Sequence, residues 1–164
     1  MSRVTVYIAA SVDGYIARKD GSVDWLPPVE EGEDYGYDEF YASVDTLVMG
    51  RRTYEQILTF GDWPYPGKPV FVLSRSRTGQ ADSGVAFVDA LPADMGHTWL
   101  VGAQAIQAYA EAGRIDEWII SLVPVLLGRG IPLFLPTTAQ TTLALQGCRA
   151  YPGGLATVHY RNGG

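Results

Sequence analysis

Apolar stretches of strand length alternate along the chain with segments of helical period, and turn residues rather than long linkers separate them. Residues 4–10 form the first apolar run, rich in β-branched side chains and ending in two alanines, which predicts a buried strand. Residues 11–33 carry the turn signals Asp13-Gly14, Asp20-Gly21 and Pro27-Pro28 and read as one long surface loop. Tyr37, Phe40 and Tyr41 then make one apolar stripe, predicting a helix over 35–43. A strand at 46–49 stops at Gly50 and a short helix at 53–58 follows. After the aromatic, Gly- and Pro-rich loop 60–69 come strands at 70–73, 85–88 and 98–101, then a helix at 103–112 that Gly113 ends. From residue 117 onward the pattern changes. Runs at 118–125, 131–135, 141–145 and 155–160 read as strands with no helix between them. An alternating front half and a strand-rich tail predict an α/β protein whose mostly parallel sheet is extended by antiparallel C-terminal strands.

Composition narrows the classes. A chain of 164 residues, 47% hydrophobic, suffices for one core and predicts a single domain over 1–164. The net charge of -6 argues against a general nucleic-acid binder, so any bound anion must meet a local positive patch. Cys148 is the only cysteine, which excludes an intramolecular disulfide; a buried structural thiol in a reducing cytoplasm is the expectation. The first residues lack an apolar leader segment, and no run approaches ~20 apolar residues, so a cytoplasmic protein with no membrane partner is expected.

Four segments could carry chemistry. At 9–17, small residues at a strand end would let a planar ring approach the backbone, although Asp13-Gly14 is by itself only a turn. At 48–55, a strand passes through Gly50 into Arg51, Arg52 and Thr53. A helix amino terminus with a glycine, a hydroxyl and two guanidinium groups suits a phosphate, while an ordinary cap with two exposed arginines is the plainer alternative. Leu73, Ser74 and Arg75 put a hydroxyl and a cation at another strand end. At 100–106, Val101, Gly102, Ala103, Gln104 and Ile106 form a second strand-to-helix passage that could cradle a diphosphate. Neither the G-x-G-x-x-G dinucleotide fingerprint nor a phosphate-loop motif is present. His97 and His159 are the only histidines, and with no G-x-S-x-G elbow a serine hydrolase has little support. No metal-ligand cluster is expected.

These segments, in this order, resemble the dihydrofolate reductase superfamily, and most closely its stand-alone bacterial members related to the riboflavin-pathway reductase domain. The resemblance spans essentially the whole chain. It rests on Ala-x-Ser-x-Asp-Gly-x-Ile at 9–16, Asp-Trp-Leu at 24–26, Met-Gly-Arg-Arg-Thr-Tyr-Glu at 49–55, Leu-Ser-Arg at 73–75, Leu-Val-Gly at 100–102, and Leu-Gly-x-Gly-Ile-Pro-Leu-Phe at 127–134. It implies a dihydrofolate reductase-like three-layer α/β/α fold and an NADPH-dependent oxidoreductase acting on a small heterocycle such as a pterin, a pyrimidine or the ribosylamino-pyrimidine of riboflavin synthesis. Dihydrofolate reductase proper, or a nucleotide-binding protein without turnover, is the alternative.

Carried over residue by residue, the resemblance puts Ala9 and Ile16 beside the nicotinamide, under a loop from Asp13 to Trp25. Gly50, Arg51, Arg52 and Thr53 would hold phosphates, with Arg51 and Arg75 at the 2'-phosphate and Leu73 and Ser74 beside them. Val101, Gly102, Ala103, Gln104 and Ile106 would pack on the nicotinamide ribose and diphosphate, and Trp25 and Phe40 would face substrate. Asp34 or Asp38, or bound solvent, would supply the proton. Arg18 with Lys19 is the basic pair available for a sugar phosphate. The chain has Gly102-Ala103 where relatives often carry two glycines, and it lacks the zinc deaminase signature. A homodimer is expected, through an apolar C-terminal sheet region that includes Trp118 and residues 122–127.

Overall fold

The computed structural model describes residues 2–27, 34–80, 84–93, 95–135 and 139–163. The elements in chain order are β1 (Arg3–Ser11), β2 (Tyr15–Ala17), α1 (Tyr37–Ser43), β3 (Thr46–Gly50), α2 (Arg51–Leu58), β4 (Val70–Leu73), β5 (Gly79–Gln80), β6 (Val85–Val88), β7 (His97–Val101), α3 (Ala103–Glu111), β8 (Glu117–Val123), β9 (Ile131–Pro132), β10 (Leu143–Ala150) and β11 (Ala156–Asn162). Nine strands form one sheet in the order β10-β11-β8-β1-β7-β3-β4-β6-β5, and β2 with β9 makes a separate small ribbon. The pairs from β8 across to β6 are parallel. Those joining β11 to β8, β10 to β11 and β5 to β6 are antiparallel.

The continuous apolar character of β1 follows from burial on both faces. Val4, Val6 and Ala10 belong to a core shared with Ala105, Ile106 and Tyr109 of α3. Tyr7, one position out of phase, packs against the opposite core, which holds Phe40 of α1 and Tyr54 and Ile57 of α2. Helices therefore cover both faces, giving the three layers expected. Among the described residues no helix is long and apolar enough to cross a membrane.

Several boundaries differ from the expectation. α2 begins at Arg51 rather than Thr53, because Gly50 in an extended conformation (φ -79°, ψ 164°) serves as its cap without any side-chain bond. α1 begins at Tyr37, after Tyr35 and Gly36 both take positive φ. The strand expected at 118–125 ends at Val123, so residues 124–127 are not part of the sheet face. The run at 131–135 contributes only Ile131–Pro132, paired with a strand inside the supposed long loop. The tail strand at 141–145 is displaced to 143–150. Cys148 is exposed, not buried, because β10 is the outermost strand and burial along it is slight. Residues 28–33, which include most of the acidic run before α1, lie outside the described residues.

At the amino ends of β1, β7 and β8 the sheet buries Glu117 (3% exposed). Thr5 Oγ1 donates to its Oε1 and His159 Nε2 donates to its Oε2 at 2.8 Å. Arg3 Nε stands 3.1 Å away and His97 Nε2 3.6 Å. Burial alone would raise the carboxyl's pKa, but the bonds from His97, Thr5 and His159 and the charge of Arg3 outweigh it and hold it at about 2.

Candidate functional site

The opposite end of the sheet gathers the residues singled out above. β7 lies between β1 and β3, and its last paired residue, Val101, is in register with Met49. Beside it β1 runs on to Ser11, paired with Val123 of β8. Beyond Val101 the chain turns away into α3, which leaves a crevice at the carboxyl ends of β1, β7 and β3. The connections also reverse direction there, the position at which open α/β sheets bind ligands.

Two helix amino termini meet beside this crevice. A Cβ at Gly50 would lie 2.6 Å from Gln104 Cβ, and one at Gly102 would overlap the hydroxyl of Thr53, 3.1 Å from its Cβ. Each glycine thus lets one helix start close against the other, and Gly102 also takes φ 87°. Neither α2 nor α3 has a side-chain cap, and neither carries an acidic residue in its first turn. Their leading N–H groups and the positive ends of both dipoles are left for an anion. Ala103 does not obstruct this arrangement. Its backbone φ is not positive and its side chain packs against the α3-side core.

Leu73, at the end of β4, is in register with Gly50. The Ser74 hydroxyl that follows is buried (6% exposed) and lacks a hydrogen-bond partner among the described residues. Arg51 reaches toward the same loop: its NH1 donates to Ser76 Oγ, while its Nε pairs with Glu55 at 2.8 Å. Arg52 and Arg75 are exposed. The strand ends therefore bring Gly50, Arg51, Thr53, Gly102, Gln104 and the Leu73–Ser74–Arg75 turn into one neighbourhood.

The other half of the site lies toward β8. Ala9 and Trp25 pack with Tyr35, Val123, Tyr151 and Leu155. The rings of Tyr35 and Tyr151 meet edge to face at 5.1 Å. Trp25 Nε1 is buried without a hydrogen-bond partner among the described residues. Tyr7 adjoins this group. Burial first, then Tyr151, Asp34 and Tyr37, raise its pKa to about 12, so its hydroxyl stays protonated at neutral pH. Sequence reasoning missed Tyr35, Val123, Tyr151 and Leu155 as site neighbours. Pro152-Gly153-Gly154 marks a hairpin turn, but nothing local says at which end of the sheet that turn lies.

Three expected site residues have other duties. Phe40 stacks on Tyr7 at 4.0 Å and meets Trp99 edge-on inside the α1-side core, so its ring does not face outward. Ile106 is equally buried, supporting α3 from within the other core. Asp34 accepts from the backbone N–H groups of Asp38 and Gly36, both at 3.0 Å, and these bonds lower its pKa. A carboxylate so held starts the helix and is a poor proton donor near neutral pH. Asp38 is exposed, and Ile16 is buried on β2. Among the described residues no cluster of His, Cys, Asp or Glu could hold a metal ion.

The fold recurs in known proteins. No family model matches the chain. The uncharacterized protein YwjB of Bacillus subtilis (strain 168) is 39% identical over 172 residues, with 98% of each chain covered. The uncharacterized protein YyaP of the same organism is 27% identical, covering 96% of this chain and 94% of its own. A crystal structure of a Shewanella sp. PV-4 protein, provisionally named a riboflavin biosynthesis protein, superposes with a TM-score of 0.88 at 34% identity, covering 98% of both chains. The chain belongs to the same family as YwjB and this riboflavin biosynthesis protein, matching both over 98% of their length. Its fold is also that of the bifunctional deaminase/reductase of Thermotoga maritima, at a TM-score of 0.69 and 11% identity over 98% of this chain and 56% of that longer one. The three-layer α/β/α architecture is thus shared with both proteins.

Proposed function

We propose that the protein is an NADPH-dependent oxidoreductase of the cytoplasm that delivers hydride to a small planar heterocycle of the pyrimidine or pterin type. The observation that carries this reading is the pair of adjoining, uncapped helix amino termini whose glycines leave no room for side chains. The cradle fits a diphosphate, and the orphaned Ser74 hydroxyl and the Arg51 guanidinium at its edge fit a further phosphate. The name of the Shewanella relative, riboflavin biosynthesis protein, supports a heterocyclic substrate of this kind.

On this reading the amides of α2 and α3 and Thr53 hold the diphosphate, while Arg51 and Arg75 take the 2'-phosphate. Ala9 and Ile16 border the nicotinamide, which supplies the hydride when the cofactor is bound. Trp25 and Tyr35, backed by the buried Tyr151, would border the space for a flat substrate. They also exclude water from the reacting carbon. With Asp34 committed to the backbone, Asp38 or solvent supplies the proton. Arg18, the earlier candidate for a sugar phosphate, is paired with Asp24 at 2.6 Å on the surface.

The apolar face beyond α3 supports a homodimer. Leu145, 58% exposed, is in register with Tyr160, which is in register with Trp118. A cavity of about 500 Å³ opens beside Trp118 and Phe134. Light scattering should give twice the 17.8 kDa chain mass.

Calorimetric titration with NADPH in the presence of a chelator tests the cofactor assignment, followed by NADPH absorbance with a panel of pterins and pyrimidines. Metal-independent binding with oxidation by at least one heterocycle is expected. Absence of binding at millimolar NADPH overturns the proposal.

A further inference from the structure

Two motifs separated by more than a hundred positions, at 9–16 and 124–134, are joined by hydrogen bonds at the exit of β1. The Val12 amide donates to the Val125 carbonyl at 3.0 Å, and the Leu133 amide donates to the Gly14 carbonyl at 2.8 Å. Close by, Tyr15 and Ala17 of β2 pair with β9. A Cβ on Gly130 would overlap the carbonyl oxygen of Ala17, so these two loops lie in direct backbone contact.

Asp13 sits at the centre of this junction. Its Oδ2 accepts from the Gly128 amide at 2.8 Å, and its Oδ1 accepts from the Leu127 amide at 3.1 Å and from Ser11 Oγ. Ser11 Oγ in turn accepts from the Tyr15 amide at 3.0 Å. One carboxylate therefore collects two consecutive amides of the distant loop and, through a buried hydroxyl, a third amide at the start of β2. Gly128, at φ 76°, is where that loop takes its left-handed turn. The Ser11 hydroxyl foremost lowers the pKa of Asp13; desolvation opposes it, and the amides of Gly128 and Leu127 add to the lowering.

The carboxylate is solvent-exposed, and water could replace it at both amides. Its bonds thus contribute more to loop conformation than to global stability. The turn it orders, residues 11–15, lies within the segment assigned above to the nicotinamide, whereas Gly50 and Gly102 of the phosphate cradle pack against Gln104 and Thr53. We propose that Asp13 is a positioning residue for the nicotinamide end of the cofactor site, fixing the backbone between Ala9 and Ile16 by clamping residues 127–128 to the β1 exit loop. This inference rests on the NADPH reading.

The experiment compares NADPH with adenosine 2',5'-bisphosphate, which carries the 2'-phosphate but no nicotinamide, on the full-length protein. Asp13→Asn turns one accepting oxygen into a donor and loses at least one amide bond. It should weaken NADPH roughly tenfold while leaving the bisphosphate unchanged. Asp13→Glu, which keeps the charge on a longer stem, should restore part of the lost affinity. Ser11→Ala removes one of the clamp's bonds and should act in the same direction with a smaller effect, which keeps the inference testable should Asp13→Asn not fold. Equal weakening of both ligands, or no change in either, overturns the inference. Failure of the wild type to bind NADPH or the bisphosphate overturns the NADPH reading, and this inference with it, before any variant is measured.

Discussion

Replacing Glu117 by glutamine should destabilise the fold by an amount that shrinks in acid. The carboxylate lies under the sheet's amino end with Thr5 and His159 donating to it and Arg3 beside it. It titrates at about 2 instead of 4.5. A gap of that size, at about 1.4 kcal/mol per pH unit, corresponds to roughly 3 kcal/mol of folding free energy. The unfolded chain takes up the proton more readily than the folded one. The contribution is therefore complete above pH 4.5 and is lost as the pH falls toward 2. Glutamine keeps the shape but presents an N–H₂ group to donors, which adds a penalty that does not depend on pH. Urea unfolding of wild type and Glu117→Gln from pH 7 to pH 3 measures both parts. At pH 7 the variant should be less stable by about 3 kcal/mol or more, equivalent to a Tm lower by roughly 6–12 °C in a chain of this size. The difference should narrow steadily below pH ~4.5. A difference that stays constant across the range would refute the electrostatic reasoning, leaving a packing defect as the whole effect.

Two further outcomes follow from the crevice. Arg51→Ala should weaken NADPH by about one to two decades and leave NADH nearly unchanged, since the cofactors differ only in the 2'-phosphate; dissociation constants for both cofactors on both proteins check it, and an unchanged ratio places that phosphate elsewhere. Gly102→Ala combines a strained positive φ with a methyl group driven against Thr53, so NADPH affinity should fall at least tenfold, with some loss of thermal stability, as read by calorimetry and thermal melts.

Much of this site can be read without coordinates. The passages from β3 through Gly50 into α2 and from β7 through Gly102 into α3 are visible because strand period, helix period and glycine are properties of short windows. The buried strands and the antiparallel tail are legible for the same reason. Even so, α2 starts two residues before the place where Thr53 marks a cap, because a glycine cap leaves no side-chain signal.

Tertiary structure alone decided what those windows meet. β7 inserts between β1 and β3 although β4 to β6 precede it in the chain, and that insertion sets Gly102 against Thr53. The hairpin of β10 and β11 carries Tyr151 back to Tyr35, and the loop at 127–128 closes on Asp13. The same long-range placement left Cys148 on an uncovered edge strand and turned Phe40 inward. Strand order is chosen by apolar area buried over the whole sheet, a sum to which each window adds only a part, so a local pattern can specify an element without specifying its neighbours.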